Sequence, residues 1–142
     1  MTQLYVAQPP AIYLVRPPLV VDCSVLAALL FDEPQRDVAA AQIAGVALHA
    51  PVLLESELVS VALRKSRAGM ADAAALGLKD YAALSIELHR VDLRAQFEVA
   101  RRGGLSAYDA AYLCLAAELR APLATFDRRL GEAAAQHLGE LA

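Results

Sequence analysis

Short apolar runs at Leu19-Val20-Val21, Val46-Ala47-Leu48-His49, Ser85 to Val91 and Pro122 to Thr125 are separated by stretches of helical period. That alternation constrains the fold more than any other feature of the chain. Strands joined through helices run parallel, and a parallel sheet needs cover on both faces. The helical stretches run from Val25 to the break at Asp32-Glu33-Pro34, from Pro34 to Ala44 before Gly45, and from Pro51 to about Arg67. Further ones follow Gly69 to about Ala83, span Asp92 to Arg102 before Gly103-Gly104, span Ser106 to Arg120, and start at Asp127. Ala and Leu make up 55 of 142 residues and Trp is absent, which favours helix for at least half of the chain. The expectation is a single α/β domain over 19–142, with a four- or five-stranded parallel sheet flanked by helices on both faces. Residues 1–18 hold four of the seven prolines and read as an extension, with room for one edge strand around Tyr5 or Ile12–Val15.

The balance of 13 basic and 16 acidic residues removes the broad basic footprint of a nucleic-acid coating protein. Nucleic acid would have to meet a local site. Cys23 and Cys114 form no Cys-x-x-Cys pair, so they read as reduced, packed residues of a cytoplasmic protein. No apolar run reaches membrane-spanning length, and the N-terminus lacks the pattern of an export signal. His49, His89 and His137 lack ligand spacing such as His-x-x-x-His and read as ordinary surface or strand residues.

In an open α/β sheet, sites form where strand ends lead into helix starts. Asp22 ends the first run, Asp127 lies just past the fourth, and Asp109 falls in the first turn of the helix that feeds the fourth strand. Glu57 comes early in the helix after the second strand, with Leu53, Leu54, Ser60 and Val61 at helical spacing around it. Each Asp has a capping explanation: Ser106-Ala107-Tyr108-Asp109 fits a capping box, Asp127 an N-cap, and Asp22 or Ser24 a cap for the first helix. Glu57, a carboxylate on an apolar face, resists that explanation. Four carboxylates converging without cations would repel, and a divalent metal at their centre resolves the conflict.

The residues carry a resemblance. Val20-Val21-Asp22-Cys23-Ser24 resembles the opening motif of PIN-domain nucleases, and Ala50 to Leu63, with Glu57 at the acidic position, resembles their second. Leu105-Ser106-Ala107-Tyr108-Asp109 onward to Ala116 is similar to the third, and Pro122 to Leu130 to the fourth. The likeness spans residues 19–131 and is nearest to the VapC toxins of prokaryotic toxin–antitoxin pairs. It implies a ribonuclease in which Asp22, Glu57, Asp109 and Asp127 hold one or two Mg2+ or Mn2+ ions, with Ser24 and Thr125 orienting ligands beside them. It further implies an RNA substrate, an antitoxin partner and a homodimer. Arg101, Arg102, Arg128 and Arg129 are candidate phosphate contacts. Ser60 stands where the second motif often has Asn, and His137–Leu141 is the segment left for the family's final strand.

Other readings lose on specific absences. There is no Gly-x-Ser-x-Gly elbow, Walker loop or Gly-x-Gly-x-x-Gly. An Asp-x-Asp phosphatase would need an acid where Ser24 stands, and a receiver-like phosphoacceptor domain would need a lysine at a late strand end. Lys65 and Lys79, the only lysines, are in helical stretches. The remaining alternative is a PIN-like module that binds RNA or protein without turnover.

Overall fold

The computed structural model describes residues 3–5, 7 and 16–140. The elements run β1 (Pro18–Val21), α1 (Cys23–Leu30), α2 (Arg36–Ile43), β2 (Ala47–Pro51), α3 (Leu54–Arg67) and α4 (Ala71–Tyr81). They continue with β3 (Ile86–His89), α5 (Leu93–Gly103), α6 (Ala107–Leu119), β4 (Leu123–Ala124) and α7 (Arg128–Glu140). Helix takes more than half of the chain, as its Ala and Leu content implies.

The strands form one parallel sheet in the order β3-β2-β1-β4. The chain steps outward from β1 through β2 to β3, then crosses back to place β4 on the other side of β1. Parallel crossovers are almost always right-handed, so reversing the direction of travel puts the later helices on the opposite face. Packing agrees: α1 contacts α2, α3 and α4, whereas α6 contacts α5 and α7. The reversal leaves a crevice beyond the carboxyl ends of β1 and β4, the usual ligand position in such sheets.

α6 is the central helix. Ala110 through Ala116 are all buried, which fits a helix apolar all round. Tyr112, Leu113 and Leu115 of α6 join Leu26, Leu54, Leu58 and Leu130 among the fully buried side chains. On the other face Gly77 lets α4 lie against Phe31, whose ring atoms stand 2.4 and 2.5 Å from where a β-carbon would be.

Several expected boundaries move. Pro51 closes β2 rather than opening a helix: it pairs in register with His89, and α3 begins three residues later. Asp92, expected as a helix start, is instead the cap of α5, and Ser106 is the cap of α6 that its capping-box pattern indicates; each side-chain oxygen accepts a hydrogen bond from the backbone N–H three residues on. Of the four or five strands expected, four occur among the described residues. His137 to Glu140 continue α7, so that stretch is helical rather than a final strand. The edge strand expected within residues 1–18 falls mostly outside the described residues, although β1 starts at Pro18 and the Ala47 N–H donates to the Pro17 carbonyl at 2.9 Å. Among the described residues, no helix is long and apolar enough to cross a membrane.

Candidate active site

β1 ends in the core and its next residue, Asp22, is only 6% exposed. Its Oδ1 accepts from the Ser24 hydroxyl at 2.6 Å and from the Val25 N–H at 3.2 Å, which makes Asp22 the N-cap of α1. Its Oδ2 accepts from the Thr125 hydroxyl at 2.5 Å, across the end of β4. The same hydroxyls are used twice: the Phe126 N–H donates to Ser24 Oγ at 2.8 Å and the Asp127 N–H to Thr125 Oγ1 at 2.9 Å. Asp22 therefore ties the ends of two strands together while it caps α1.

Asp127 also caps, accepting from the Leu130 N–H at 2.9 Å through Oδ1, and stands exposed at the rim. Ser106 Oγ accepts from the Asp109 N–H at 3.1 Å, so the cap of α6 is the serine and the Asp109 side chain lies toward the cleft. Glu57 sits in the first turn of α3, where the helix dipole favours a carboxylate. The Tyr112 hydroxyl of α6 donates to Glu57 Oε1 at 2.6 Å.

All four acids line one cleft of ≈ 340 Å³, floored by Cys23 and Ala27 and edged by Glu33 and Arg64. A second hollow of ≈ 590 Å³, lined by Leu53, Ser56, Ser60 and Tyr108, shares Cys23, Glu57, Val61 and Arg64 with it. Burial raises the Asp22 carboxyl, and the bonds from Ser24, Thr125 and the backbone offset only part of that rise. Burial likewise raises Glu57, helped by the charges of Asp109 and Asp22 and opposed by the Tyr112 bond. Asp109 is raised by burial and then by Asp127 and Asp22, with Ser106 and the Arg129 charge pulling the other way. Burial, with Glu57 and Asp22 close by, pushes the Cys23 thiol up to about 12, so it offers no thiolate at neutral pH.

The donor set fits a hard divalent cation. It is all carboxylate and hydroxyl oxygen, and the acids raise one another's pKa, a conflict that a central cation relieves.

The arginines divide. Arg101 pairs with Glu98 at 2.8 Å and Arg128 with Glu132 at 2.9 Å, each within its own helix. Arg129 donates to the Gly104 carbonyl and stands near enough to Asp109 to act on its pKa. With Arg102 it lines a groove between α5 and α7. Tyr112 and Arg64 were missed from sequence, yet both follow from helical spacing: Tyr112 is three residues after Asp109, and Arg64 two turns after Glu57.

Residues 19–136 match the family model of the PIN domain. The chain belongs to the PIN domain family. The chain is 37% identical over 118 residues to Ribonuclease VapC9 of Mycobacterium tuberculosis, covering 80% of this chain and 89% of that protein. Ribonuclease VapC3 of Pyrobaculum aerophilum is 31% identical over 121 residues, covering 80% of this chain and 92% of that one. The crystal structure of PAE2754 from Pyrobaculum aerophilum superposes with a TM-score of 0.65 over 88% of this PIN domain chain and 89% of that chain. At 24% identity that likeness speaks for the fold alone.

Tyr112→Phe tests how Glu57 is held in this PIN domain. Losing the hydroxyl should cost about 1 kcal/mol of stability and lift the Glu57 pKa further, since that bond lowers it. A carboxyl titration by NMR on metal-free protein reads the shift; an unmoved Glu57 would show that the phenol does not hold the carboxylate.

Proposed function

We propose that the chain is a metal-dependent ribonuclease, the toxin of a toxin–antitoxin pair, hydrolysing RNA phosphodiester bonds at the cleft of Asp22, Glu57, Asp109 and Asp127. The observation that carries this reading is the convergence of four carboxylates from four separate elements on one cleft, three of them with raised pKa. Relatives named VapC ribonucleases, at 31% and 37% identity over 80% of the chain, support the substrate class. The nuclease domain is residues 19–142 together with Pro18, which opens β1, and the Pro-rich stretch before it is an extension.

In this reading the four acids hold one or two Mg2+ or Mn2+ ions. A cation of that class supplies Lewis acidity toward the phosphodiester and lowers the pKa of water. Ser24 and Thr125 fix both oxygens of Asp22, and Tyr112 fixes one oxygen of Glu57, so the donors are oriented before a ligand arrives. Asp127 at the rim is the most accessible of the set. Arg129, which edges the groove between α5 and α7 beside Asp109, is better placed to meet an RNA phosphate than Arg101, Arg102 and Arg128, each paired with a glutamate of its own helix. The antitoxin partner would cover the cleft, acting in the cytoplasm. Exposed Val59 and Leu63 on α3 and Leu93 and Phe97 on α5 are apolar surface suited to a homodimer interface.

The test is incubation of purified protein with mixed cellular RNA, with chelator and then with Mg2+ or Mn2+ restored. Cleavage that stops with chelator and returns with metal is expected. RNA bound but left intact in saturating metal would replace this reading with the binding-module alternative.

A further inference from the structure

Outside the cleft, the parallel register of β2 and β3 sets His49 opposite Glu87, and His89 lies two residues on along β3, on the same face. His49 Nδ1 and His89 Nε2 are 2.9 Å apart, with ring centroids at 5.1 Å. Glu87 brings Oε2 to 3.7 Å from His49 Nδ1 and Oε1 to 3.9 Å from His89 Nε2. His49 and His89 are strand residues, as the sequence suggests, but on adjacent strands. Forty residues separate them in sequence, and only the strand register makes them neighbours.

We propose that His49, Glu87 and His89 form a second metal site that takes a zinc-class transition-metal ion and pins the edge strand β3 to β2. Around a tetrahedral Zn2+ with bonds of 2.0–2.1 Å, ligand atoms stand roughly 3.3–3.4 Å from one another. The two ring nitrogens stand closer than that value and must part by roughly 0.4 Å. Glu87 meets the two rings with different oxygens, and with one ligand atom from each residue all three lie within 4.8 Å of one another, so a swing of the exposed carboxylate brings one oxygen in. In the metal-free pair one ring donates and the other accepts. For both to present lone pairs, the donating ring moves its hydrogen to its other nitrogen, with no net proton released. Two imidazoles and one carboxylate are a set that Zn2+ accepts and Mg2+ does not favour, which separates this site from the all-oxygen cleft. Glu87 is 69% exposed, so solvent can supply the fourth position. The site does not depend on the nuclease reading.

Histidine ring resonances report on the site directly. On titrating the intact protein with Zn2+, the His49 and His89 signals should move together to completion at one equivalent, while His137 stays unmoved and Mg2+ leaves all three in place. Glu87→Gln, at an exposed position, keeps the fold and should weaken Zn2+ binding by about tenfold or more. His89→Gln should abolish the coupled shift at His49. The proposal is overturned if Zn2+ leaves the His49 and His89 rings untouched, moves His137 equally, or binds as tightly to Glu87→Gln. None of those results would bear on RNA cleavage.

Discussion

Asp109→Asn is expected to lower metal-dependent RNA cleavage by roughly two to three orders of magnitude, the scale seen when one electrostatic group is removed from a catalytic site. The substitution keeps the side chain's shape and removes one negative charge from the cleft. The fold should survive, because the cap of α6 is the Ser106 hydroxyl accepting from the backbone N–H of residue 109, a bond the side chain does not make. Metal-free stability should be equal or slightly higher, since Asp109 is held against the charges of Asp127 and Asp22. Turnover with saturating Mg2+, beside a thermal melt of the same sample, decides the matter. A fully active variant would remove Asp109 from the chemistry, and an unfolded one would give it a structural role.

Saturating Mg2+ should stabilise the native protein at neutral pH by about 2.7 kcal/mol at a hundredfold excess over its dissociation constant. Mg2+ is the informative ion here because the histidine site does not favour it. Asp22, Glu57 and Asp109 all have folded-state pKa values raised above the unfolded ones. Their contribution to stability is fully present below the unfolded pKa and is lost as pH rises through the folded values. Metal-free protein should therefore gain stability as pH falls from neutral toward those values. The gain should fade when metal occupies the cleft, because the bound carboxylates no longer favour the proton. Glu98 acts in the opposite direction, lowered by Arg101, but it is about half exposed and its ion pair is open to solvent, so it weighs little. Glu57→Gln should melt at least as high as wild type without metal and show a smaller Mg2+ shift. Equal shifts in both proteins would remove Glu57 from the ligand set.

What the sequence showed and what it hid divide along a physical line. Asp22, Asp109 and Asp127 were legible because strand ends and helix starts are local patterns, and the open-sheet rule then places them at one edge. Ser24 and Thr125 were legible as hydroxyls beside acids. Pro51 was misread because an N-terminal helical proline and a strand-closing proline look alike without the pairing partner, here His89. The Tyr112 bond to Glu57 and the His49–His89 contact span 55 and 40 residues and depend on packing and register, which no local pattern encodes. The stretch after His137 had no strand signal of its own, and the Ala-rich segment before it simply propagates as helix.

The way Asp22 is held also has a bearing on synthesis. Two of the acids precede residue 60, while Thr125, Asp109 and Asp127 come from the stretch 109–127, so the cleft closes only when chain segments some hundred residues apart meet. A growing chain still short of β4 has β1 without its β4 neighbour and carries three of the four carboxylates, but it lacks Thr125 and Asp127. While it emerges from the ribosome, surrounded by RNA, it holds no assembled cleft. The two-residue strand that looks like the weakest part of the sheet thus precedes the last pieces of the site, Thr125 and Asp127, and the cleft can be complete only once the final stretch of the chain has been made.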